Sequence, residues 1–229
     1  MQLVNYRNLS EHQGNLMLVY GLAGGHKTCT VLQTSADPIV YLTAEGRKVE
    51  TSIKPINRPN LKMVVGVYDG FDDLIETCMT KGKFGSAKTI ILDSITHLMI
   101  VHLSLEIMQE HWASKSEKEK DEIEKTLAMQ VKMSEESYGT LAGQMNRLMR
   151  ALQSLTLRGY DVVCTARTED RPKWNRSLSC APALVGKAFS KSMDGFFDLI
   201  GYLEPWEAPE LSEGQEPPGV GASLLDTWK

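Results

Sequence analysis

Short apolar runs alternate along the chain with stretches of helical periodicity. The runs cover Leu16 to Tyr20, Ile39 to Thr43, Met63 to Val67, Thr89 to Leu92, Val162 to Thr165 and Phe197 to Leu203. This alternation is typical of βαβ units, and it predicts an α/β fold with a mostly parallel central sheet that has helices on both faces. Because ligands of such sheets collect at the carboxyl ends of the strands, we expect the chemistry in the loops that follow them.

Two helices are predicted from the same pattern. Phe71 to Lys81 forms the first, with Asp69 as its cap and Gly82 and Gly85 as its end. The second carries an apolar stripe at steps of three and four residues and ends at Gly159. Its members are Leu141, Met145, Leu148, Leu152 and Leu155. We interpret this stripe as core.

The chain divides into one main domain, residues 1–203, and an acidic tail, residues 204–229. A charged insertion is expected at about residues 99–137, and its segment SKSEKEKDEIEK is interpreted as a solvated helix or loop. The tail is rich in Pro, Gly and Glu without periodicity, which predicts a disordered or loosely docked segment.

Composition narrows the class of protein. The 42% hydrophobic and 24% charged shares are those of a globular domain, and no apolar run approaches the roughly 20 residues that span a bilayer. The first residues lack a secretory signal pattern, so we expect a cytoplasmic protein without a membrane partner. Cys29, Cys78, Cys164 and Cys180 are scattered, which argues against a zinc site or a disulfide framework. A net charge of −4 offers no general attraction to nucleic acid, so any DNA contact needs a local patch.

The segment LMLVYGLAGGHKTCTVL indicates a nucleotide site. It matches G-x-x-x-x-G-K-[ST] through Gly21, Lys27 and Thr28, between a predicted strand and a predicted helix. In such a loop the backbone N–H groups and the helix N-terminus bind phosphate, the lysine neutralises the β- and γ-phosphates, and the hydroxyl ligates magnesium. The predicted cofactors are ATP and Mg²⁺. The predicted contacts are Gly21, Leu22, Ala23, Gly24, Gly25, His26, Lys27, Thr28 and Cys29.

His26 departs from this motif because it stands where the second glycine is usual. The position is expected to require positive φ, which penalises side chains, although His tolerates that region better than most residues. The loop is therefore predicted to close on phosphate. The alternative is a degenerate loop that binds nucleotide poorly.

Two acidic residues complete the predicted site. Asp93 ends the apolar strand in TIILDSITHL, which is the form of a Walker B strand that delivers a carboxylate to the magnesium shell. Glu45 lies just past the strand in IVYLTAEGR, where a carboxylate can polarise the water that attacks the γ-phosphate. The predicted catalytic residues are thus Lys27, Glu45 and Asp93, with Thr28 and Asp93 at the metal. Taken singly, Asp93 would fit a helix cap and Glu45 a surface loop.

With these motifs in this order, the sequence resembles the RecA-like branch of P-loop ATPases, and in particular small phage-encoded proteins of the single-strand annealing and recombinase group. The matching pieces are GLAGGHKT, YLTAEGR, IILDSIT and DVVCTARTED. The resemblance implies a RecA-like core, the roles given above for Lys27, Thr28, Glu45 and Asp93, and a bacterial or phage-infected host cell. No separate N-terminal oligomerisation domain is visible, although a homo-oligomer is expected.

The resemblance also implies that the loop after the γ-phosphate-sensing strand contacts single-stranded DNA. The corresponding segment, RTEDRPKWNRSLSCAP, places cations around one aromatic side chain, as sequence-tolerant single-strand binding requires. The candidate DNA-binding residues are Arg167, Arg171, Lys173, Trp174 and Arg176. The alternative is a polar surface loop with Trp174 tucked against the domain.

These observations favour an ATP-hydrolysing protein that binds single-stranded DNA in phage-type recombination or strand annealing. The alternative is an adaptor or loader in which ATP gates a protein contact and hydrolysis is vestigial. A helicase-related motor is disfavoured because accessory domains are missing. Lys187 and Lys191 are candidates for reaching a neighbouring subunit's γ-phosphate, and a single-strand-binding or replication protein is a further candidate partner.

Overall fold

A computed structural model describes the protein over residues 13–43, 53–54, 56–114, 116, 135–172, 178–184, 189 and 192–204. For residues 111, 169–172 and 178–180 it describes the backbone alone. The strands are β1 Leu16–Gly21, β2 Ile39–Thr43, β3 Met63–Val67, β4 Thr89–Leu92, β5 Asp161–Pro172, β6 Leu178–Pro182 and β7 Leu199–Leu203. The α-helices are α1 Lys27–Thr34, α2 Gly70–Met79, α3 Ile95–His97, α4 Ser104–Ala113 and α5 Glu135–Thr156.

The strands form one seven-stranded sheet in the order β3-β2-β4-β5-β1-β7, with β6 paired to β5 alone. All neighbours along this order are parallel, and the β5–β6 pair is antiparallel. The predicted α/β fold with a mostly parallel sheet is therefore confirmed. The predicted bounds of β2, β3 and β4 coincide with the observed ones.

The segment after the predicted strand Val162 to Thr165 differs from the predicted loop. β5 runs on to Pro172, and its last residues pair with Leu178–Pro182 of β6, beginning with Thr168 opposite Pro182. An antiparallel partner satisfies backbone groups that would otherwise face water beyond the sheet. Arg167 and Arg171 of the basic segment thus lie on a strand and not in a loop, whereas Lys173, Trp174 and Arg176 lie outside the described residues.

The helices follow the predicted pattern with one correction. α5 ends near Gly159, whose φ of 89° and N–H bond to the carbonyl of Thr156 close the helix, and its predicted apolar stripe is buried. Asp69 occupies the N-cap position of α2, as predicted, but its side chain makes no capping bond. Instead, the Asp73 carboxylate in the first turn accepts a 2.9 Å bond from the Asp69 N–H, which satisfies a donor that the helix leaves unpaired.

Residues 99–113, in the first part of the expected insertion, are helical and packed. A π-helical segment, Leu98–Leu103, joins α3 to α4, and Met99, Leu103 and Ile107 are buried in the core. The charged segment beyond Ser116 and the tail after Glu204 lie outside the described residues. Within the part of the chain that the structure describes, no helix has the length and apolar character needed to cross a bilayer.

The sheet separates two cores of unequal size. The larger core lies on the face covered by α2, α4 and α5. The smaller core lies on the face covered by α1, and its buried members are Val31, Leu32, Ile39, Tyr41, Ile91 and Val163. Side chains alternate between the two faces along each strand. Asp93 and Thr165, which follow the core residues Ile91 and Val163 by two positions, therefore lie on the same face as α1.

The buried thiols behave as core residues. Cys29, Cys78 and Cys164 are not in disulfides, as expected. Burial raises the pKa of Cys78 to about 12 and that of Cys164 well above its usual range. Both thiols are therefore protonated at neutral pH and poorly reactive.

Candidate nucleotide site

A tight turn joins β1 to α1 and forms the predicted phosphate loop. The Gly25 N–H donates to the Leu22 carbonyl at 3.1 Å, and Gly24 has a φ of 77°. His26 stands at the N-cap position with φ 55° and ψ 20°, in the left-handed region. The prediction that this position requires positive φ is confirmed. Leu22, Ala23, Gly24 and His26 are exposed at the mouth of the turn.

The glycines of this loop meet different amounts of space. A Cβ added at Gly24 would meet nothing within 4 Å, whereas one at Gly25 would lie 3.0 Å from the Leu22 carbonyl oxygen. At Gly21, the last residue of β1, a Cβ would come within 2.5 Å of the Leu203 carbonyl oxygen in β7. Gly21 is therefore required by close packing between neighbouring strands, and Gly24 by its backbone conformation.

Lys27 lies across this loop. Its Nζ donates to the carbonyl oxygens of Gly21 at 2.9 Å and Leu22 at 2.7 Å. Burial lowers the pKa of Lys27, the carboxylate of Asp93 opposes this shift, and the positive charge of Arg167 adds to it. The ammonium group is thus held at the loop by two neutral acceptors that an anionic phosphate can replace.

Asp93 is the centre of a hydrogen-bond cluster at the carboxyl end of β4. Its Oδ2 accepts from the Thr28 hydroxyl at 2.6 Å and from the Tyr41 hydroxyl at 2.5 Å, and its Oδ1 accepts from the Thr165 hydroxyl. The Asp93 N–H donates to the Leu42 carbonyl at 3.1 Å, which fixes the backbone beside β2. The structure therefore brings Thr28 and Asp93 together, as the two motifs suggested.

Sequence reasoning missed Tyr41 and Thr165. Tyr41 pairs with Ile91, two residues before Asp93, and Ile91 pairs with Val163, two residues before Thr165. Because side chains two apart on a strand share a face, these residues all point toward α1. The signal was available only once the strand order was known.

The pair formed by Thr28 and Asp93 fits a magnesium ion. Hydroxyl and carboxylate oxygens are hard ligands of the kind that Mg²⁺ prefers, and here they lie side by side at the start of α1. Among the described residues, no group of three or more His, Cys, Asp or Glu could hold a metal ion. A magnesium ion at this place would therefore take most of its ligands from phosphate oxygens and water, as Mg²⁺ usually does.

Arg167 lies next to the nucleotide site. Its N–H donates to the Thr96 hydroxyl at 3.0 Å, and its carbonyl accepts from the Ala183 N–H at 2.7 Å. Arg167 also pairs with Gly21, the first residue of the phosphate loop, across β5 and β1. The structure thus places this candidate DNA-binding residue at the base of the hairpin, next to the strand that leads into the phosphate loop.

Other predicted residues cannot be placed in the site. Arg171 lies on β5, where the backbone alone is described and pairs with Ser179 of β6. The remaining candidates lie outside the described residues: Glu45, Lys173, Trp174, Arg176, Lys187 and Lys191.

The far end of α1 is held by Arg58. Its Nη1 donates to the carbonyl oxygens of Leu32 at 2.6 Å and Ser35 at 2.8 Å, and its Nη2 lies 2.7 Å from Asp37 Oδ2. A cation at the C-terminus of a helix complements the partial negative charge of the last carbonyls. The helix whose first turn faces the phosphate site is therefore fixed at its last turn.

Comparison with known proteins agrees with this geometry. No curated protein sequence matches the chain significantly. The family described as AAA domain matches residues 13–222, which is most of the 229 residues and includes the loop from Gly21 to Thr28, Asp93 and the β5–β6 hairpin. An AAA domain is a nucleotide-binding domain of the P-loop ATPase class, and the parallel sheet and the Lys27 loop are those of that class. The chain belongs to the AAA domain family.

Proposed function

We propose that this protein binds ATP with Mg²⁺ and hydrolyses the γ-phosphate. The observation that carries the proposal is the contact between the Thr28 hydroxyl and Asp93 at the first turn of α1, the turn from which Lys27 also reaches the phosphate loop. A hydroxyl, a carboxylate and a lysine at a helix N-terminus form the arrangement that P-loop ATPases use for magnesium and the β- and γ-phosphates.

The residues divide the chemistry among them. The N–H groups from Gly24 to Thr28 and the amino end of α1 bind phosphate oxygens, and Lys27 exchanges its carbonyl partners for them. Thr28 and Asp93 would hold magnesium, which when bound neutralises charge on the β- and γ-phosphates. Glu45 follows β2 in the sequence and is proposed to orient and deprotonate the attacking water.

Calorimetric titration of ATP with Mg²⁺ tests the binding step. Wild type should bind, and Lys27→Ala should abolish binding because the γ-phosphate loses its main counter-charge. Lys83→Ala, which removes an exposed lysine from the α2–β4 connection, is the matched control and should bind like wild type. Equal affinity of wild type and Lys27→Ala would contradict the assignment of the loop.

Turnover measurements test the hydrolytic step. Glu45→Gln should leave ATP affinity nearly unchanged but slow hydrolysis by about a hundredfold or more, the usual effect of removing a general base. The exposed Glu76→Gln on α2 is the control and should turn over like wild type. Normal turnover by Glu45→Gln would assign the base to another residue.

We further propose that the β5–β6 hairpin binds single-stranded DNA in phage-type recombination or annealing. Two features support this: Arg171 lies on the extension of β5 that pairs with β6, and Arg167 at the base of this hairpin pairs with Gly21 of the phosphate loop. Arg171, Lys173 and Arg176 would follow phosphates and Trp174 would stack on a base. Expected homo-oligomerisation, a replication-protein partner and a cytoplasmic location in a phage-infected or bacterial cell rest on the resemblance alone.

Anisotropy of a labelled oligonucleotide, with and without ATP, tests the DNA proposal. Trp174→Ala should weaken binding by roughly 1–3 kcal/mol, the usual contribution of one base stacked on an aromatic residue. Arg171→Ala and Arg176→Ala should each reduce the logarithmic salt slope by about 0.7. Lys83→Ala serves again as a control cation outside the hairpin. If all the variants bind like wild type, the hairpin is not the DNA site.

The adaptor function remains the second candidate because His26, not glycine, occupies the left-handed position of the loop. In that case ATP would gate a protein contact, and turnover would be vestigial. Stimulation of ATP hydrolysis by single-stranded DNA separates the two candidates: the recombination function requires it, and the adaptor function does not.

A further inference from the structure

Tyr41 contacts the Asp93 carboxylate, although in the segment YLTAEGR the sequence assigned a role to Glu45 alone. Its hydroxyl donates at 2.5 Å to Asp93 Oδ2, the oxygen that also accepts from Thr28 at 2.6 Å. Tyr41 lies in the middle of β2 and is 4% exposed. Its hydroxyl therefore reaches the site from within the core.

The ring of Tyr41 is fixed by packing. It belongs to the smaller core between the sheet and α1, together with Val31 and Leu32 of the helix and Ile91 and Val163 of the neighbouring strands. A side chain locked in this way holds its hydroxyl at one place without further ordering cost when a ligand arrives. The position of Asp93 Oδ2 is thus tied to the core under the phosphate loop.

The three hydroxyls on Asp93 have different fates when magnesium binds. Thr28 would turn its oxygen lone pair to the cation, whereas Tyr41 and Thr165 would keep donating to Oδ2 and Oδ1. We propose that Tyr41 is a positioning residue for magnesium: it keeps Asp93 oriented toward the metal shell. This inference rests on the proposed ATP and Mg²⁺ function. Groups that orient metal-binding residues commonly change metal affinity strongly when removed.

A purely structural role makes a different prediction from a positioning role. If the ring only filled the core, phenylalanine would replace it without effect on the metal. If the hydroxyl orients Asp93, its removal raises the Mg²⁺ requirement while nucleotide binding without metal is unchanged. The Mg²⁺ dependence of nucleotide affinity is therefore the decisive measurement.

The experiment titrates Mg²⁺ into a fluorescent ATP analogue bound by full-length wild type, Tyr41→Phe, Thr165→Val and the control Tyr160→Phe. The control removes the hydroxyl of Tyr160, which donates to the Gly85 carbonyl at 3.3 Å. Tyr160 comes just before β5, so it lies at the end of the sheet opposite to the candidate site. Tyr41→Phe should raise the Mg²⁺ concentration for half-maximal effect by about 10- to 100-fold. Thr165→Val should change it in the same direction, and Tyr160→Phe should leave it at the wild-type value.

The outcomes separate this inference from the proposed function. If wild type depends on Mg²⁺ and Tyr41→Phe needs the same Mg²⁺ concentration for half-maximal effect, the role of Tyr41 is overturned and the ATP site stands. Equal losses in Tyr41→Phe with and without metal would also overturn it, because the defect would lie in nucleotide binding. A wild type that shows no Mg²⁺ dependence would overturn both proposals.

Discussion

At the scale of single residues, the corner at His26 decides how the phosphate loop closes. Its left-handed backbone, with φ 55°, follows Gly24 at φ 77°, and its carbonyl accepts the N–H of Thr30 at 2.8 Å as the first bond of α1. The conformation is imposed by the turn and the helix together. A side chain at this point therefore carries a steric cost that glycine would not.

We predict that His26→Gly raises the free energy of unfolding by up to about 1 kcal/mol and keeps or improves ATP binding, since glycine enters positive φ freely. His26→Ala, which keeps the Cβ without the imidazole, is the matched control and should be less stable than His26→Gly. Chemical denaturation and ATP titration measure both effects. Equal, large losses of ATP binding in both variants would mean that the imidazole itself contacts phosphate.

Lys27 gives a prediction about pH. Burial lowers its pKa in the folded protein, so folding disfavours the protonated form, and this cost is fully present at pH values below the lowered pKa. Lys27→Met should therefore be at least as stable as wild type without nucleotide. The difference in the free energy of unfolding between Lys27→Met and wild type should shrink as pH rises from the lowered pKa of Lys27 in the folded protein to its pKa in the unfolded chain. A Lys27→Met protein less stable than wild type at pH 7 by denaturation would contradict this.

The sequence predicted some residues of the site and missed others for a physical reason. Lys27, Thr28 and Asp93 occur in local motifs whose spacing reflects their chemistry. Tyr41 and Thr165 reach Asp93 only because β2 and β5 flank β4, and that order depends on pairings between distant segments. No local pattern carries such information.

At the scale of elements, β1 connects the loop to the sheet through a close contact with β7. Gly21 pairs with Leu203, whose carbonyl leaves no room for a Cβ. The bounds of β2, β3 and β4 were predictable because each is a short apolar run with loops on both sides. β6 was not, because its short segment LSCAP ends in Pro182 and becomes a strand only through the extension of β5.

We predict that Gly21→Ala destabilises the fold by about 1–3 kcal/mol, the usual cost of forcing an extra methyl group into packed structure, and weakens ATP binding by shifting the loop. Gly201→Ala in β7 is the matched control, because an added Cβ there meets nothing within 4 Å. Thermal unfolding and ATP titration compare the two. Equal stability of both variants would contradict this, because it would mean that β7 can move away from an added Cβ at position 21 without a loss of stability.

At the scale of the whole molecule, only one of the two faces of the sheet lies against the candidate nucleotide site. The larger core lies between the sheet and α5 and includes Leu148 and Leu152, which are fully buried. Among the described residues, those of the candidate site are not part of this core. The smaller core under α1 adjoins the Asp93 cluster through Tyr41. A defect in either core should therefore lower stability, but only the smaller core should influence the nucleotide.

We predict that Leu32→Ala and Leu148→Ala, both at fully buried positions, each cost about 2–5 kcal/mol of stability. At a temperature where both variants are folded, Leu148→Ala should bind ATP like wild type. Leu32→Ala should bind more weakly, because α1 and Tyr41 lose a shared neighbour. Matching ATP affinities in the two variants would refute this division between the faces.

The contacts that Arg58 makes at the last turn of α1 have a consequence for nucleotide binding. Through hydrogen bonds to the Leu32 and Ser35 carbonyls and an ion pair with Asp37, Arg58 fixes the helix at the end remote from the phosphate loop. We therefore expect α1 to keep its position along its axis when a phosphate binds at its first turn. Any backbone rearrangement on nucleotide binding is then expected in the turn from Gly24 to His26, where the dihedral angles of a few residues can change while the helix stays in place.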